Sequence, residues 1–149
     1  MGYHDFEPWE GVDFDGTLAT YKGYSPDGAN LGDPIMPMVG VVKSLLQQGK
    51  KVKIMTARVA PHKINFHIPS GGPVWDVEMH RKAIEDWCEQ HIGQRLEVTH
   101  EKNFEMVRLW DDRAITVEKD AGTILTPLDY MFKIGTPALY NKDEYNEVK

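Results

Sequence analysis

Two carboxylates stand one residue apart in the segment Asp13-Phe14-Asp15-Gly16-Thr17, which follows a short apolar run. The apolar run predicts a buried strand, and Gly16 permits a turn that takes the chain away from it. We therefore expect the chain to leave the strand near Asp13. Two carboxylates held so close together form a compact anionic site that suits a divalent cation.

A second acidic pair, Asp111-Asp112, follows another predicted strand and precedes Arg113. Taken alone, such a pair most often belongs to a turn or a helix cap. Together with Asp13 and Asp15 it supplies the hard oxygen ligands that Mg²⁺ prefers, alongside water and a substrate phosphate. The sequence thus predicts a magnesium site that also receives a phosphate group.

The pattern Asp-x-Asp-Gly-Thr at 13–17 resembles the first motif of the haloacid dehalogenase superfamily, whose members are mostly magnesium-dependent phosphatases. Thr56 matches the second motif, a hydroxyl at the end of the second strand that binds a phosphoryl oxygen. Lys102 is the best match to the third motif, a cation that stabilises the nucleophile and the phosphate. Asp111 and Asp112 match the fourth, and the four motifs occur in the family's order.

The resemblance also implies a role for each carboxylate. Asp13 attacks phosphorus and becomes an aspartyl phosphate, while Asp15 protonates the leaving alcohol and later deprotonates the attacking water. The Mg²⁺ ligands are the side chain of Asp13, the backbone carbonyl of Asp15 and the side chain of Asp111, with Asp112 supporting them. Without the resemblance, Thr56 and Lys102 would be read as a structural strand-end threonine and a solvated loop lysine.

The substrate is less sharply defined than the reaction. The form of the last motif, Asp111-Asp112-Arg113, is similar to that of small nucleotidases and of the phosphatase half of polynucleotide kinases, so a nucleotide or a nucleic-acid end phosphate is expected. Arg58 and Arg113 suit further contacts with that phosphate. Aromatic and histidine side chains nearby are read as ordinary loop residues: Tyr21, Phe66 and Trp75, and His62 and His67.

Larger family members have a cap domain inserted after the first or second motif. The segments at those places, 18–34 and 59–73, are too short for a domain, so we expect an open site with a minimal cap or none. Such a site accepts the end of a large substrate, or a small molecule if a loop or a second copy of the chain in a homo-oligomer serves as lid.

The elements that position these residues alternate between strand and helix. Apolar residues at helical spacing after Pro37 predict a helix that ends at Gly49. A strand, helix, strand order with short connections implies a right-handed parallel crossover, which brings Asp13 and Thr56 to the carboxyl ends of neighbouring strands. The predicted strands are 11–14, Lys51–Met55, 96–99 and Met106–Trp110, and a second helix is predicted for 75–91.

The link between the last two strands is too short to join parallel neighbours, so we expect these strands not to be adjacent. In the superfamily they lie on opposite sides of the first two strands. The resemblance implies an α/β fold, a Rossmann-like three-layer sandwich with a central, mostly parallel sheet, in one domain over 1–149. Arg108 in the last strand requires that one face of this strand be open or paired. After the sheet, 115–125 forms a hairpin, which we favour, or part of a helix; 141–149 is expected to be a disordered tail.

Composition limits the classes of function. A chain of 149 residues with 41% hydrophobic content suits a single globular domain. The net charge of −6 disfavours general nucleic-acid binding. One cysteine, no signal-like start and no apolar stretch near the roughly 20 residues that span a bilayer predict a soluble cytoplasmic protein without a membrane partner.

Three functions remain open at this point. The favoured one is a Mg²⁺-dependent phosphomonoesterase acting on a nucleotide, a nucleic-acid end or a small phosphorylated molecule. The second is a catalytically idle module that sequesters a phosphorylated ligand, although binding alone does not need Asp15. The third is a phosphomutase or phosphotransferase, which would need to exclude water from the site.

Overall fold

The structure is a computed structural model that describes residues 5–23, 25–61 and 76–131. The chain divides into two compact units, Met1–Trp110 and Asp111–Lys149. A single domain over 1–149 stays a prediction, and the predicted loop 59–73 and tail 141–149 lie largely or wholly outside the described residues. In the described residues, the first unit contains four strands and two long helices.

The first unit has the predicted α/β order. Its elements are β1 (Trp9–Val12), α1 (Met36–Gln47), β2 (Lys51–Met55), a short 3-10 helix (Ala57–Val59), α2 (Val77–His91), β3 (Glu97–Thr99) and β4 (Met106–Trp110). Each predicted strand is present, with ends shifted by one to two residues at β1 and β3. The predicted helix start at Trp75 lies outside the described residues.

The four strands form one parallel sheet in the order β3-β2-β1-β4. The last two strands are therefore not adjacent, as expected from the short link between them, and they lie on opposite sides of the first two, as the resemblance implies. Because β1 is central and pairs with both β2 and β4, the carboxyl ends of three adjacent strands meet at one edge of the sheet. The fold is consistent with a Rossmann-like architecture.

Helix α1 forms where the apolar spacing predicts it. Pro37 lies in its first turn, where no intrahelical donor is needed, and Val39, Val42 and Leu45 form its buried face. Helix α2 begins after Asp76, whose carboxylate accepts a hydrogen bond of 3.0 Å from the backbone N–H of Met79. Its buried face consists of His80, Ile84, Trp87 and Cys88.

One hydrophobic cluster joins both helices to the sheet, so α1 and α2 pack on the same face of it. Trp87 packs edge to face against Phe14, with ring centroids 5.0 Å apart, and its indole N–H donates to the carbonyl of Gly32 over 3.0 Å. A helical layer on the other face, as in a three-layer sandwich, is not among the described residues. On this other face of the sheet, the ring of Trp9 lies close to Gly11, and its indole N–H donates a hydrogen bond to the side-chain oxygen of Asn103.

Arg108 in β4 is both exposed and paired, which fulfils the requirement stated from the sequence. Its guanidinium donates to both carboxylate oxygens of Glu10, at 2.8 and 3.1 Å from Nε, and a second contact joins Nη2 to the same carboxylate. Glu10 is only 3% exposed. The pairing raises the pKa of Arg108, chiefly through these hydrogen bonds, and compensates a carboxylate that would otherwise be buried alone.

Among the described glycines, Gly32 has the closest approach of another backbone segment. A Cβ atom at this residue would lie 1.7 Å from the carbonyl oxygen of Thr20.

We expect Gly32→Ala to lower the free energy of unfolding by about 3 kcal/mol or more, because two backbone segments must separate. Urea unfolding measures this change. Gly40→Ala is the control: Gly40 is exposed in α1 with no atom near its missing Cβ, so the change should stabilise by about 1 kcal/mol. Equal effects at the two glycines would contradict the close approach.

The second unit begins with Asp111 and contains the favoured hairpin. Val117 and Ile124 form an antiparallel bridge, and the turn between them includes Asp120 with φ 61° and Gly122 with φ 78°. A helical turn, α3 (Leu128–Met131), follows. Within the described parts of both units, no helix combines the length and apolar character needed to cross a membrane.

Candidate functional site

Asp13 lies at the carboxyl end of the central strand. Its backbone N–H donates to the carbonyl of Trp110 over 2.9 Å, which continues the pairing of β1 with β4 by one residue. The chain then turns back on itself, because the carbonyl of Phe14 accepts hydrogen bonds from the N–H groups of Leu18 and Ala19, each 2.9 Å long. Gly16 has a φ of 83°. The predicted exit from the strand near Asp13 is confirmed.

The turn holds the carboxylate of Asp13 in place. The hydroxyl of Thr17 donates to Oδ2 of Asp13 over 3.2 Å, and Thr17 itself is buried. Phe14, fully buried against Trp87, anchors the turn in the core. The half-buried Asp13 is thus orientated by a hydroxyl on a turn that the core keeps rigid.

Asp15 and Arg58 form a bidentate ion pair beside Asp13. Nε and Nη2 of Arg58 donate to the two carboxylate oxygens of Asp15 over 2.6 and 2.8 Å. The side chain of Arg58 is 1% exposed and that of Asp15 is 11% exposed. Two parallel charge-assisted hydrogen bonds of this kind fix both the position and the plane of the carboxylate. Arg58, predicted as a phosphate contact, is directed at Asp15 in this structure.

Arg58 also connects the first turn to the loop before α1. Its Nη2 donates to the carbonyls of Gly23 and Asn30, over 3.2 and 3.4 Å. Asp27 stabilises this loop by accepting hydrogen bonds from the N–H of Ala29 and the hydroxyl of Ser25, which lower the pKa of Asp27. One guanidinium therefore joins three segments of the chain at the end of the sheet.

Thr56 follows β2, the neighbour of β1, and is buried. Its backbone N–H donates to the carbonyl of Thr99, and its hydroxyl oxygen accepts a hydrogen bond of 3.2 Å from the N–H of Arg58. The residue caps the short 3-10 helix that begins at Ala57. Thr56 thus lies at the predicted end of the sheet, one strand away from Asp13, and positions the backbone of Arg58.

Lys102 lies in the link between β3 and β4 and is exposed. In the described ranges it makes no hydrogen bond or ion pair. The next residue, Asn103, accepts the indole hydrogen bond of Trp9, at the amino end of β1. The link starts at the carboxyl end of β3, where the N–H of Glu101 donates to the hydroxyl oxygen of Thr99 over 3.1 Å, and Asn103 reaches the amino end of β1. None of these contacts joins Lys102 to Asp13.

The remaining predicted residues stand at the start of the second unit. Oδ1 of Asp111 accepts a hydrogen bond of 2.7 Å from the N–H of Arg113, so the acidic pair forms the turn that its residue types allow. A carboxylate has acceptor capacity beyond one such bond, so this turn does not prevent metal binding. Asp112 is half-buried, and Arg113 is exposed.

Other reactive residues are less suited to catalysis or lie outside the described ranges. Burial raises the pKa of the Cys88 thiol to about 12, which keeps it protonated and unreactive at neutral pH. Tyr21 is 48% exposed on the loop before α1. The structure does not describe His62, Phe66, His67 and Trp75.

Sequence reasoning did not single out two residues that shape this region. Thr17 was part of the first motif, but its hydrogen bond to Asp13 was not anticipated. His80 is fully buried in α2, where its ring contacts the carbonyl of Pro26 over 3.1 Å. Its spacing of four residues from Ile84 was the available signal, since it extends the buried face of the helix.

Comparison of the chain with protein-family models, with curated protein sequences and with solved structures finds no match. The case for a function therefore depends on the residues and their arrangement.

Proposed function

We propose that this chain is a Mg²⁺-dependent phosphomonoesterase with a haloacid dehalogenase-like fold that forms an aspartyl phosphate on Asp13. The observation that supports this most strongly is the hydrogen bond from the N–H of Asp13 to the carbonyl of Trp110. Because Asp111 follows Trp110 through one peptide bond, strand pairing and covalent geometry bring the first motif and the start of the fourth to adjacent strand ends. Such an edge is where open parallel sheets bind their ligands.

The residues fit a hard cation. Asp13, Asp111 and Asp112 are all partly exposed carboxylates, and carboxylate oxygens are what Mg²⁺ takes from proteins. We assign the ion to these side chains and to the backbone carbonyl of Asp15. When bound, it would neutralise charge on the phosphate oxygens.

The protein side chains divide the chemistry between two carboxylates. Asp13 attacks phosphorus, and the bond to the leaving oxygen breaks as that oxygen takes a proton from Asp15. Asp15, then ionised, removes a proton from water; the hydroxide attacks phosphorus and releases phosphate, which restores Asp13. Thr17 keeps the attacking carboxylate aimed during both steps. We assign phosphate binding to Thr56 and Lys102, as the resemblance implies, and to Arg113, whose guanidinium suits a phosphate.

Arg58 receives a different role from the one that its sequence position suggests. Its two hydrogen bonds to Asp15 fix the position and the plane of the carboxylate that is proposed to exchange protons with the leaving oxygen and with water. We therefore propose Arg58 as a positioning residue for Asp15 instead of a contact with the substrate.

The same ion pair favours a second function. If Asp15 stays bound to Arg58 throughout, it is structural, and the protein is a module that sequesters a phosphorylated ligand at Asp13 and the acidic pair. In the described residues of the link between β1 and α1, 13–23 and 25–35, turns and isolated bridges are present but no cap domain. Either function is therefore expected to accept the end of a nucleotide or of a nucleic acid.

Phosphate release distinguishes the two functions. The purified chain is incubated with nucleoside monophosphates, 3′- and 5′-phosphorylated oligonucleotides and sugar phosphates, with Mg²⁺ or with a chelator in excess. We expect release that needs Mg²⁺ and is greatest for one nucleotide or nucleic-acid class. Binding of one compound without release would favour the sequestering module, and release unaffected by the chelator would contradict the metal assignment.

A further inference from the structure

A cavity of about 540 Å³ lies at the amino ends of β1, β2 and β4, wholly within the first unit. Trp9 begins β1, whereas Asp13 follows its last residue, so strand rise alone separates the two positions by about 13 Å. The cavity is thus distinct from the candidate site at the carboxyl ends. Its volume lies in the range of pockets that bind small molecules, about 300–1,000 Å³.

The walls of the cavity are mainly apolar, with aliphatic stems of charged residues adding to Trp9 and Val107. The register of β1 against β4 shifts here: Trp9 pairs with Met106 and Glu10 pairs with Arg108, which leaves Val107 as the extra residue of a bulge. Val107 is 58% exposed. The irregular strand pair therefore presents an apolar side chain to the cavity.

The residues that line the cavity carry three cations, Lys50, Lys51 and Arg108, and two carboxylates, Glu7 and Glu10. Glu10 is neutralised by Arg108, and Lys51 is shared between Glu7 and Glu97. Lys50 makes no ion pair with any residue that the structure describes. Arg108 uses Nε and Nη2 for Glu10, while its Nη1 donates to none of the described residues. One unpaired cation and one further guanidinium N–H thus remain for an anion.

We propose that this cavity binds a small amphiphilic anion, a ligand with a flat apolar body and one sulfonate, carboxylate or phosphate group. The anionic group binds Lys50 and Nη1 of Arg108, and the apolar body packs against Val107 and the edge of Trp9. The ion pair with the buried carboxylate of Glu10 holds the guanidinium of Arg108 in place before the ligand arrives. This site does not depend on the proposed phosphatase activity.

The dye 8-anilinonaphthalene-1-sulfonate has this chemistry and serves as the probe. We expect saturable fluorescence enhancement at one site, and at least about tenfold weaker binding of the neutral analogue N-phenyl-1-naphthylamine, which lacks the sulfonate. Lys50→Glu should weaken binding of the anionic dye about tenfold. The matched control Lys43→Glu, an exposed lysine of α1 away from the cavity, should leave the affinity within about twofold of the unchanged chain.

A steric variant tests the location independently of charge. Val107→Trp should fill the cavity and remove the saturable binding, with the far-ultraviolet circular dichroism unchanged. In the unchanged chain, the dye should shift the amide resonances of Gly49 and Val107 but not that of Gly16. Equal binding by the Lys50→Glu and Lys43→Glu variants, equal binding of the neutral analogue, or shifts centred on Gly16 would each overturn the proposal.

Discussion

Replacing Arg58 with methionine is expected to lower the free energy of unfolding by about 3–5 kcal/mol, because it leaves the carboxylate of Asp15 nearly buried and without its counter-ion. The variant also loses the two hydrogen bonds from the guanidinium to the carbonyls of Gly23 and Asn30. Urea unfolding followed by circular dichroism measures the change, with the slope of the transition checked for two-state behaviour.

Two further variants show whether this loss comes from the ion pair. Arg95→Met removes an arginine that binds three carboxylates on the surface of the same unit, and water compensates that loss, so stability should change little. The double variant Asp15→Asn with Arg58→Met should recover part of the lost stability, since both charges are then removed and no buried charge is left without a partner. Additive losses in the double variant would mean that Arg58 and Asp15 are not energetically coupled.

Asp13→Asn is expected to reduce phosphate release by at least about 10⁴-fold, because the amide cannot act as the attacking nucleophile. The fold should be kept, since the amide oxygen still accepts the hydrogen bond from Thr17, and a change in stability within about 1 kcal/mol is expected. Steady-state assays with the best substrate of the panel, together with circular dichroism, measure the two effects separately.

The control for this variant is Asp33→Asn, which makes the same chemical change at an exposed residue whose carboxylate pairs with Lys22. It should retain full activity. Normal turnover in a folded Asp13→Asn variant would refute Asp13 as the nucleophile. If instead the unchanged chain shows no turnover with any substrate but binds one of them, the sequestering function gains support, and Asp13→Asn should then weaken that binding.

The secondary structure was predictable because local rules agree with the packing. Val39, Val42 and Leu45 repeat at helical spacing and are the buried face of α1, and the short apolar segments 51–55 and 106–110 are strands as predicted. That β3 and β4 are not adjacent was anticipated from the shortness of the link between them, a restriction of chain length and not of residue type. Their positions on opposite sides of the first two strands were implied by the resemblance.

The arrangement of the site was only partly predictable. The motif placed Asp13 at the end of β1, because a strand followed by a glycine turn leaves little choice. The ion pair of Asp15 with Arg58 depends on the path of the loop 23–30, which no periodic pattern specifies. Similarly, Lys102 could be matched by order along the chain, but its surroundings depend on how the link crosses the sheet toward Trp9.

The central position of β1 has a consequence for how the chain folds. Its partner on one side is β2, but on the other it is β4, and Glu10 and Arg108 are 98 residues apart in sequence. Contacts of such high sequence separation slow folding, because the intervening chain must be closed into a loop before the pairing forms. During synthesis on the ribosome, one side of β1 lacks its partner until β4 has emerged. β1 is therefore made before β4 but completed only after it, and its unpaired side is exposed to aggregation in the interval.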